Sequence, residues 1–286
     1  MTSWSCDSIE YLYLSEKAIF DNKKAIRGGI PLVFPQFGQK NKAMASHGFA
    51  RNKMWSLSDK VTDCPEFIEV VFTLRDDPST FEVFPFHFDL EYRVRLFSSK
   101  KLECSLTCNN IDPDATMRLT MLLHTYLRVS SISDTTVEGF KDKIYVESLG
   151  SPPYLAKEER DGIRFGEEVD RIYHKITDDD SVNVSAPNQH KVISQACAYL
   201  SNIDELLAAQ TSSSTTTTSS SSSSCSKLES VDVVLWNPWI AKTMTLTDMP
   251  ATGYQQFVCV EPGIVQDWFD LRPSSAITLT QTLSLA

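Results

Sequence analysis

From Phe86 to Leu96 the chain alternates without a break. Phe86, Phe88, Leu90, Tyr92, Val94 and Leu96 fall on one side, and charged or polar residues fall between them. A period of two marks a strand with one face in a core and the other in water. Residues 101–108 resume the pattern after a Ser-Ser-Lys turn, so 86–97 and 101–108 predict an antiparallel hairpin. Residues 67–74 are β-rich with imperfect alternation. Residues 117–129, MRLTMLLHTYLRV, follow the turn Asp112-Pro113-Asp114 and predict one further strand. Shorter strands are predicted at 142–147, 181–185, 190–195, 231–236, 242–247, 254–260 and 276–284. Helical patterning is thin: residues 196–210 predict a helical turn or two near their end. Many short strands with polar turns predict an all-β antiparallel sandwich. The repeated helices that a βαβ fold needs are absent.

Two stretches depart from this pattern. Residues 211–224 are a pure Ser/Thr run with no apolar side chain to bury, and are expected to be a surface insertion in a single domain spanning 1–286. Residues 24–55 mix Arg27, Gln36, His47 and Arg51 with four glycines, prolines and aromatics. A core strand has no use for this mixture. It predicts long loops draped over the sandwich, forming a sugar-sized pocket with an anion at one end.

Composition narrows the partners. The 286 residues carry a net charge of −10, with 42% hydrophobic and 22% charged residues. An acidic chain is not expected to hold nucleic acid, whose phosphates need clustered Lys and Arg. Two arginines can still make a local anion pocket. No run approaches the roughly twenty apolar residues of a membrane span. The 7 cysteines are odd in number and irregular in spacing, which predicts reduced thiols, a cytoplasmic protein and no zinc site. Neither a P-loop nor a GxSxG serine elbow is present.

Several residues carry candidate chemistry beside a plainer reading. His124, in LLHTYLRV, is a satisfied core histidine or an acid–base catalyst. His47 is a turn histidine or a pocket residue next to Gly48. Glu261, in FVCVEPG, is the first polar residue after a buried strand, before a Pro-Gly turn, or a carboxylate whose pKa is raised at a pocket rim. Arg27 and Arg51 are structural ion-pair partners or forks for phosphate. Asp170 and Arg171 form a buried pair or hold sugar hydroxyls. Trp236, Trp239 and Trp268 pack in the core or stack on a sugar face.

Seven segments together carry a closer likeness: KAIRGGIPLVFPQFG (24–38), HGFARNKMW (47–55), LLHTYLRVSSI (122–132), VEGFKDKIYVES (137–148), GEEVDRIY (166–173), VLWNPWIAK (234–242) and FVCVEPG (257–263). In this order the chain resembles the glucose-6-phosphate 1-epimerases, hexose-6-phosphate mutarotases related to aldose 1-epimerase. The resemblance implies a galactose-mutarotase-like antiparallel β-sandwich. It also implies anomer exchange in glucose 6-phosphate or other hexose 6-phosphates, with no cofactor and no metal. His124 and Glu261 would be catalytic. Arg27 and Arg51 would hold phosphate, Gln36 and His47 would line the same pocket, and Asp170 would hold sugar hydroxyls. Family members carry two or more strands before a TSW segment, whereas Thr2-Ser3-Trp4 here follows Met1 directly. The chain is therefore expected to lack the first strands. A monomer is the default expectation. A catalytically inactive carbohydrate-phosphate module, an epimerase of free hexoses and an interaction sandwich compete with this reading. The retained His124 and Glu261 favour an enzyme, and the paired arginines favour a phosphorylated sugar.

Overall fold

The structure is a computed structural model that describes residues 1–203 and 225–286. Two large sheets face each other, and every pair of named strands is antiparallel. The first sheet has ten strands among the described residues. It runs from Gly162–Arg164 through Thr136–Glu138, Val182–Ser185, Val192–Asn202, Ser275–Leu285, Lys101–Asn110, Phe88–Ser98 and Ile68–Arg75 to Ser56–Asp63, and Ser226–Lys227 pairs beside Val192–Asn202. The second has eight. Its order is Tyr154–Lys157, Ile144–Glu147, Val169–Ile176, Val231–Asn237, Phe257–Leu271, Met117–Leu123 and Leu32–Val33, with Tyr126–Arg128 also on Phe257–Leu271.

The alternating hairpin forms as its pattern predicts. Ser98 pairs with Lys101 at the turn. Phe88, Leu90 and Tyr92 point into the core, and burial fades towards Leu96 at the far end. Fully burying each such side chain contributes about 1.5–3 kcal/mol. Residues 24–55 are loops apart from Leu32–Val33 and a 3-10 turn at Ala50–Asn52. Phe34 fastens them, with its ring edge-on to Phe49, Phe84 and Phe88 at centroid distances of 5.9, 5.6 and 5.3 Å.

Four predicted elements differ. The strand over 117–129 is two strands, Met117–Leu123 and Tyr126–Arg128, broken at His124-Thr125. There the backbone turns its bonds to the covering loop: His124 N–H donates to the Pro31 carbonyl and Tyr126 N–H to that of Gly29. The segment 254–260 begins as a 3-10 turn, and its strand, Phe257–Leu271, runs straight through Pro262-Gly263 instead of turning. Pro262 is tolerated because it falls in the gap on that flank between the Cys259–Tyr126 and Gly263–Leu122 pairs, opposite the break at His124-Thr125. Residues 242–247 are not a strand but the end of a short helix, Trp239–Thr243, and a turn. Thr243 and Thr245 donate their hydroxyls to the carbonyls of Trp239 and Lys242, which offers this backbone an alternative to a ladder. Finally, 196–202 belongs to the strand Val192–Asn202, and 204–210, like the Ser/Thr run, lie outside the described residues.

Both faces of the eight-stranded sheet are covered. Val258, Val260, Val233 and Leu235 join the core between the sheets. Phe257 and Cys259 on the opposite face join Tyr13, Tyr126 and Met249 in a second cluster. Val234 joins Val33, Leu122 and Val265 in a third. The loops are therefore a third layer, and the site lies beneath them.

Candidate active site

Strand register gathers the polar residues on this outer face. Glu261 lies opposite Val234, and Trp236 lies opposite both Cys259 and Asp170 on its two flanks. Side chains two apart share a face, so Asp170, Trp236 and Glu261 project together. His124, Glu261, Asp170, Arg27, His47 and Arg51 all line one cavity of about 290 Å³. That is close to the lower end of small-molecule sites, about 300 Å³.

His124 and Glu261 form its floor, 7% and 2% exposed. His124 Nδ1 and Glu261 Oε1 are 3.1 Å apart, yet Nδ1 makes no aligned hydrogen bond and Glu261 Oε2 has no partner. Burial drives both towards neutrality. It raises the Glu261 carboxyl well above its usual range, helped by the charge of Asp170. It lowers His124 well below the usual imidazole value, helped by His47, Arg51 and Arg27. The pair thus holds one proton between two sites, and moving it across this short gap exchanges the acid and base roles without changing the net charge.

The His124 ring is held on two sides. Tyr126 stacks on it at 4.8 Å with planes 6° apart, and Trp236 meets it edge-on at 5.9 Å. Arg27 holds Tyr126 in turn: Nη1 donates to the phenol oxygen at 3.1 Å, while Nε donates to Asp248 Oδ1 at 3.1 Å. Next to Arg27, Gly28 has φ +124°, and a Cβ there would lie 2.3 Å from the Tyr13 carbonyl oxygen. Only glycine lets the loop approach this closely.

The two arginines are not equivalent. Arg27 is paired with a carboxylate. Among the described residues Arg51 has only the Ser46 carbonyl, at 2.9 Å from Nη2, and its buried Nε has no partner. Burial lowers the Arg51 pKa, a sign of a guanidinium short of counter-charge. His47 is pushed down to about 3 by burial, then by Arg51 and Arg27. Its Nδ1 accepts from Gly38 N–H at 3.3 Å, so the neutral ring carries its proton on Nε2 and is a donor. Asp170 is raised by burial first, with Glu147 adding to it.

Gln36 stands apart from the other candidates. It is fully buried and does not line the cavity. Its Nε2 donates to the carbonyls of Asn41 and Ala45, and its Oε1 accepts from Asn41 N–H. It shapes the loop that carries His47 and does not face the cavity as a substrate contact would. Of the tryptophans, Trp236 lines the cavity, Trp239 packs on Tyr254, and Trp268 lies under Lys40. Arg171 turns away from Asp170 to pair with Glu147 and Glu158.

Sequence pattern does not single out Lys242, Phe37, Val234 or Leu246, which complete the lining. Nor does it reveal the supports beneath. Thr125 donates to Gln281 Oε1 at 2.6 Å, and Gln281 Nε2 donates to the Val260 carbonyl, so the opposite sheet braces the segments that carry His124 and Glu261. These partners meet only through tertiary structure. A second cavity, about 420 Å³, adjoins the first through Arg27, Arg51 and Leu246 and adds Lys23 and Lys24. No helix among the described residues is long and apolar enough to cross a membrane.

The aldose 1-epimerase family profile matches residues 1–284. A protein of Cenchrus ciliaris, provisionally named glucose-6-phosphate 1-epimerase, is 31% identical over 281 residues, covering 96% of this chain and 74% of the relative. An Escherichia coli protein with the same provisional name is 26% identical over 281 residues, covering 97% and 80%. A solved structure from Salmonella typhimurium, provisionally described as a mutarotase, superposes with a TM-score of 0.77 at 24% identity, covering all (100%) of this chain and 83% of that one.

Proposed function

Because this chain belongs to the aldose 1-epimerase family and is a mutarotase-type enzyme, we propose that it interconverts the α and β anomers of glucose 6-phosphate and related hexose 6-phosphates. The observation that carries this reading is the 3.1 Å gap between His124 Nδ1 and Glu261 Oε1 at the floor of a cavity that also holds two arginines. Mutarotation needs a base at the C1 hydroxyl and an acid at the ring oxygen. Those two oxygens are bonded to the same carbon, so acid and base must be close neighbours. Glycoside hydrolysis needs carboxyl groups about 5–9.5 Å apart, and this pair is too tight for it.

In the proposed mechanism Glu261 takes the C1 hydroxyl proton while His124 gives a proton to the ring oxygen. The C1–O5 bond breaks and C1 becomes an aldehyde. Rotation about C1–C2 presents the other carbonyl face. His124 then takes back the O5 proton, Glu261 returns its own to the carbonyl oxygen, and the ring closes with inverted C1. Each turnover restores both groups, so no cofactor is consumed. Before attack the shared proton must move from Glu261 to His124, a transfer their spacing permits.

His47, donating through Nε2, and Asp170, accepting, would orient the ring hydroxyls. Trp236 offers it an apolar face. Phosphate would lie on Arg51 and Arg27, at the mouth shared with the cavity of Lys23 and Lys24. This remote anchor lowers the entropic cost of placing C1. A hexose 6-phosphate substrate suits a cytoplasmic enzyme, and a single chain contains every residue invoked, which suits a monomer.

Mutarotation rates of α-glucose 6-phosphate and of free α-glucose test the reading. We expect a much higher kcat/KM for the phosphorylated sugar. Equal values would remove the phosphate part of the proposal, and no acceleration of either would remove the whole.

A further inference from the structure

We propose that His124, Cys259 and Glu261 form a site for a borderline-soft divalent cation of the Zn²⁺ class, and that the enzyme is silent while the site is occupied. Each residue offers one ligand atom, and these atoms all lie within 4.8 Å of one another. Cys259 and Glu261 project from one face of the same strand. Cys259 pairs in register with Tyr126, two residues beyond His124. All three residues are buried. Among the described residues, His124 Nδ1 and Glu261 Oε2 have no hydrogen-bond partner, so both atoms are available at the cavity floor.

The donor set decides the cation. Imidazole, thiolate and carboxylate are the ligands of tetrahedral zinc, with bonds of about 2.0–2.3 Å, so a contraction of the trio around the ion would complete the geometry. A thiolate ligand disfavours Mg²⁺ and Ca²⁺. The fourth position would face the cavity that His124 and Glu261 line. Binding exchanges water ligands of the ion for the protein atoms. Cys259 gives its thiol proton to solvent, and Glu261 gives up its proton where it holds one. His124 binds through Nδ1 with its proton on Nε2. Occupancy therefore strengthens as pH rises. Arg27 and Arg51 line the same cavity and oppose a dication, so the site is reversible.

Metal binding stands on geometry alone, whereas the silencing rests on the proposed mutarotase reading: the ion takes both the base and the acid. The test uses intact, metal-free enzyme and ZnCl₂. After gel filtration, atomic absorption should find one Zn²⁺ per chain, and Co²⁺ should give a thiolate-to-metal absorption band. Glucose 6-phosphate mutarotation should stop with Zn²⁺ and return with a chelator. Cys259→Ser and Cys259→Ala should each weaken retention at least as much as loss of an outer-shell partner does, about 10–100-fold, with the metal-free rate unchanged. Two substitutions guard against one misfolding. No retained Zn²⁺ in the parent, or retention in both variants equal to the parent's, would overturn the site. Cys259-dependent retention without inhibition would overturn the silencing. A metal-free enzyme with no activity would overturn the mutarotase reading and leave the retention experiment to decide the site.

Discussion

Two neighbours on one strand, Asp170 and Arg171, belong to opposite regimes of buried charge. Arg171 turns to the core face, where Glu158 accepts from Arg160 at 2.7 and 2.8 Å and from the Tyr173 hydroxyl at 2.9 Å, while Glu147 takes Arg171 at 2.8 Å. Every charge there has a partner. Asp170 turns to the cavity, where Glu261 and His124 carry unpartnered atoms and Arg51 lacks a carboxylate. A buried polar group without a partner costs about 1–3 kcal/mol, more if charged. A sandwich that satisfies one cluster so fully could have satisfied the other. The unsatisfied one is what a polar ligand would complete.

The largest expected contrast is between Glu261→Gln and Glu158→Gln. Glu261→Gln should lower kcat for mutarotation about 10³-fold while leaving Tm unchanged or higher, because it removes an uncompensated buried carboxyl. Glu158→Gln should do the reverse: a destabilisation of about 3–5 kcal/mol by denaturant unfolding, with kcat within a few-fold. If Glu261→Gln unfolds the protein and Glu158→Gln abolishes turnover, the two clusters have been assigned the wrong way round.

Glu158 also sharpens the contrast through pH. Burial alone would raise its pKa, but hydrogen bonds from Arg160 and Tyr173 bring it down to about 2. A depressed carboxyl stabilises the fold above its unfolded value, about 4.3, and that contribution is lost as pH falls towards 2. Unfolding measured from pH 5 to 2 should therefore show a steeper loss in the parent than in Glu158→Gln. Parallel curves would mean that the cluster does not hold this carboxyl ionised.

Among the cations, Arg51→Ala should raise KM for glucose 6-phosphate about 10–100-fold, the range of one charged hydrogen bond, with little effect on free glucose. Arg27→Ala should also lower kcat for both sugars, because it frees Tyr126 from its place on His124. Identical effects of the two substitutions would erase the difference between them. The smallest effect is expected at His47. With its pKa near 3, it is neutral from pH 5 to 8 and cannot shape the rate profile there. Its depressed value costs stability as pH drops below about 6.5, so His47→Gln should flatten unfolding between pH 6 and 4.

The fold was legible where one face of a strand meets water. Phe88–Ser98 and Lys101–Asn110 kept the period of two because their other face is open. It was less legible where both faces are covered. MLLHTYLRV and FVCVE read as nearly continuous apolar runs, which hid the break at His124 and the passage of the strand through Pro262. Such runs are themselves the mark of a sheet buried on both sides, and so of a third layer over the site. The helix Pro78–Val83 had a local signal: Asp77 caps it reciprocally with Thr80. Of the site, His124, Glu261, Arg27, His47, Arg51 and Asp170 were readable from residue type and family likeness, and they converge on one cavity. Gln36 could not be told from a pocket residue, because its role depends on the path of its own loop. Tyr126 lies in the LLHTYLRV segment beside the His124 it stacks on, but Asp248 and Gln281 left no sequence signal, because each acts through a residue distant in the chain.

In the proposed reaction His124 and Glu261 open the ring of a phosphorylated hexose. The most direct measurement follows freshly dissolved α-glucose 6-phosphate by polarimetry as it approaches anomeric equilibrium, with buffer, intact enzyme and folded Glu261→Gln in parallel. Intact enzyme should shorten the approach in proportion to its concentration, and Glu261→Gln should follow the buffer curve. No acceleration by the intact enzyme, or equal acceleration by the variant, would contradict the claim.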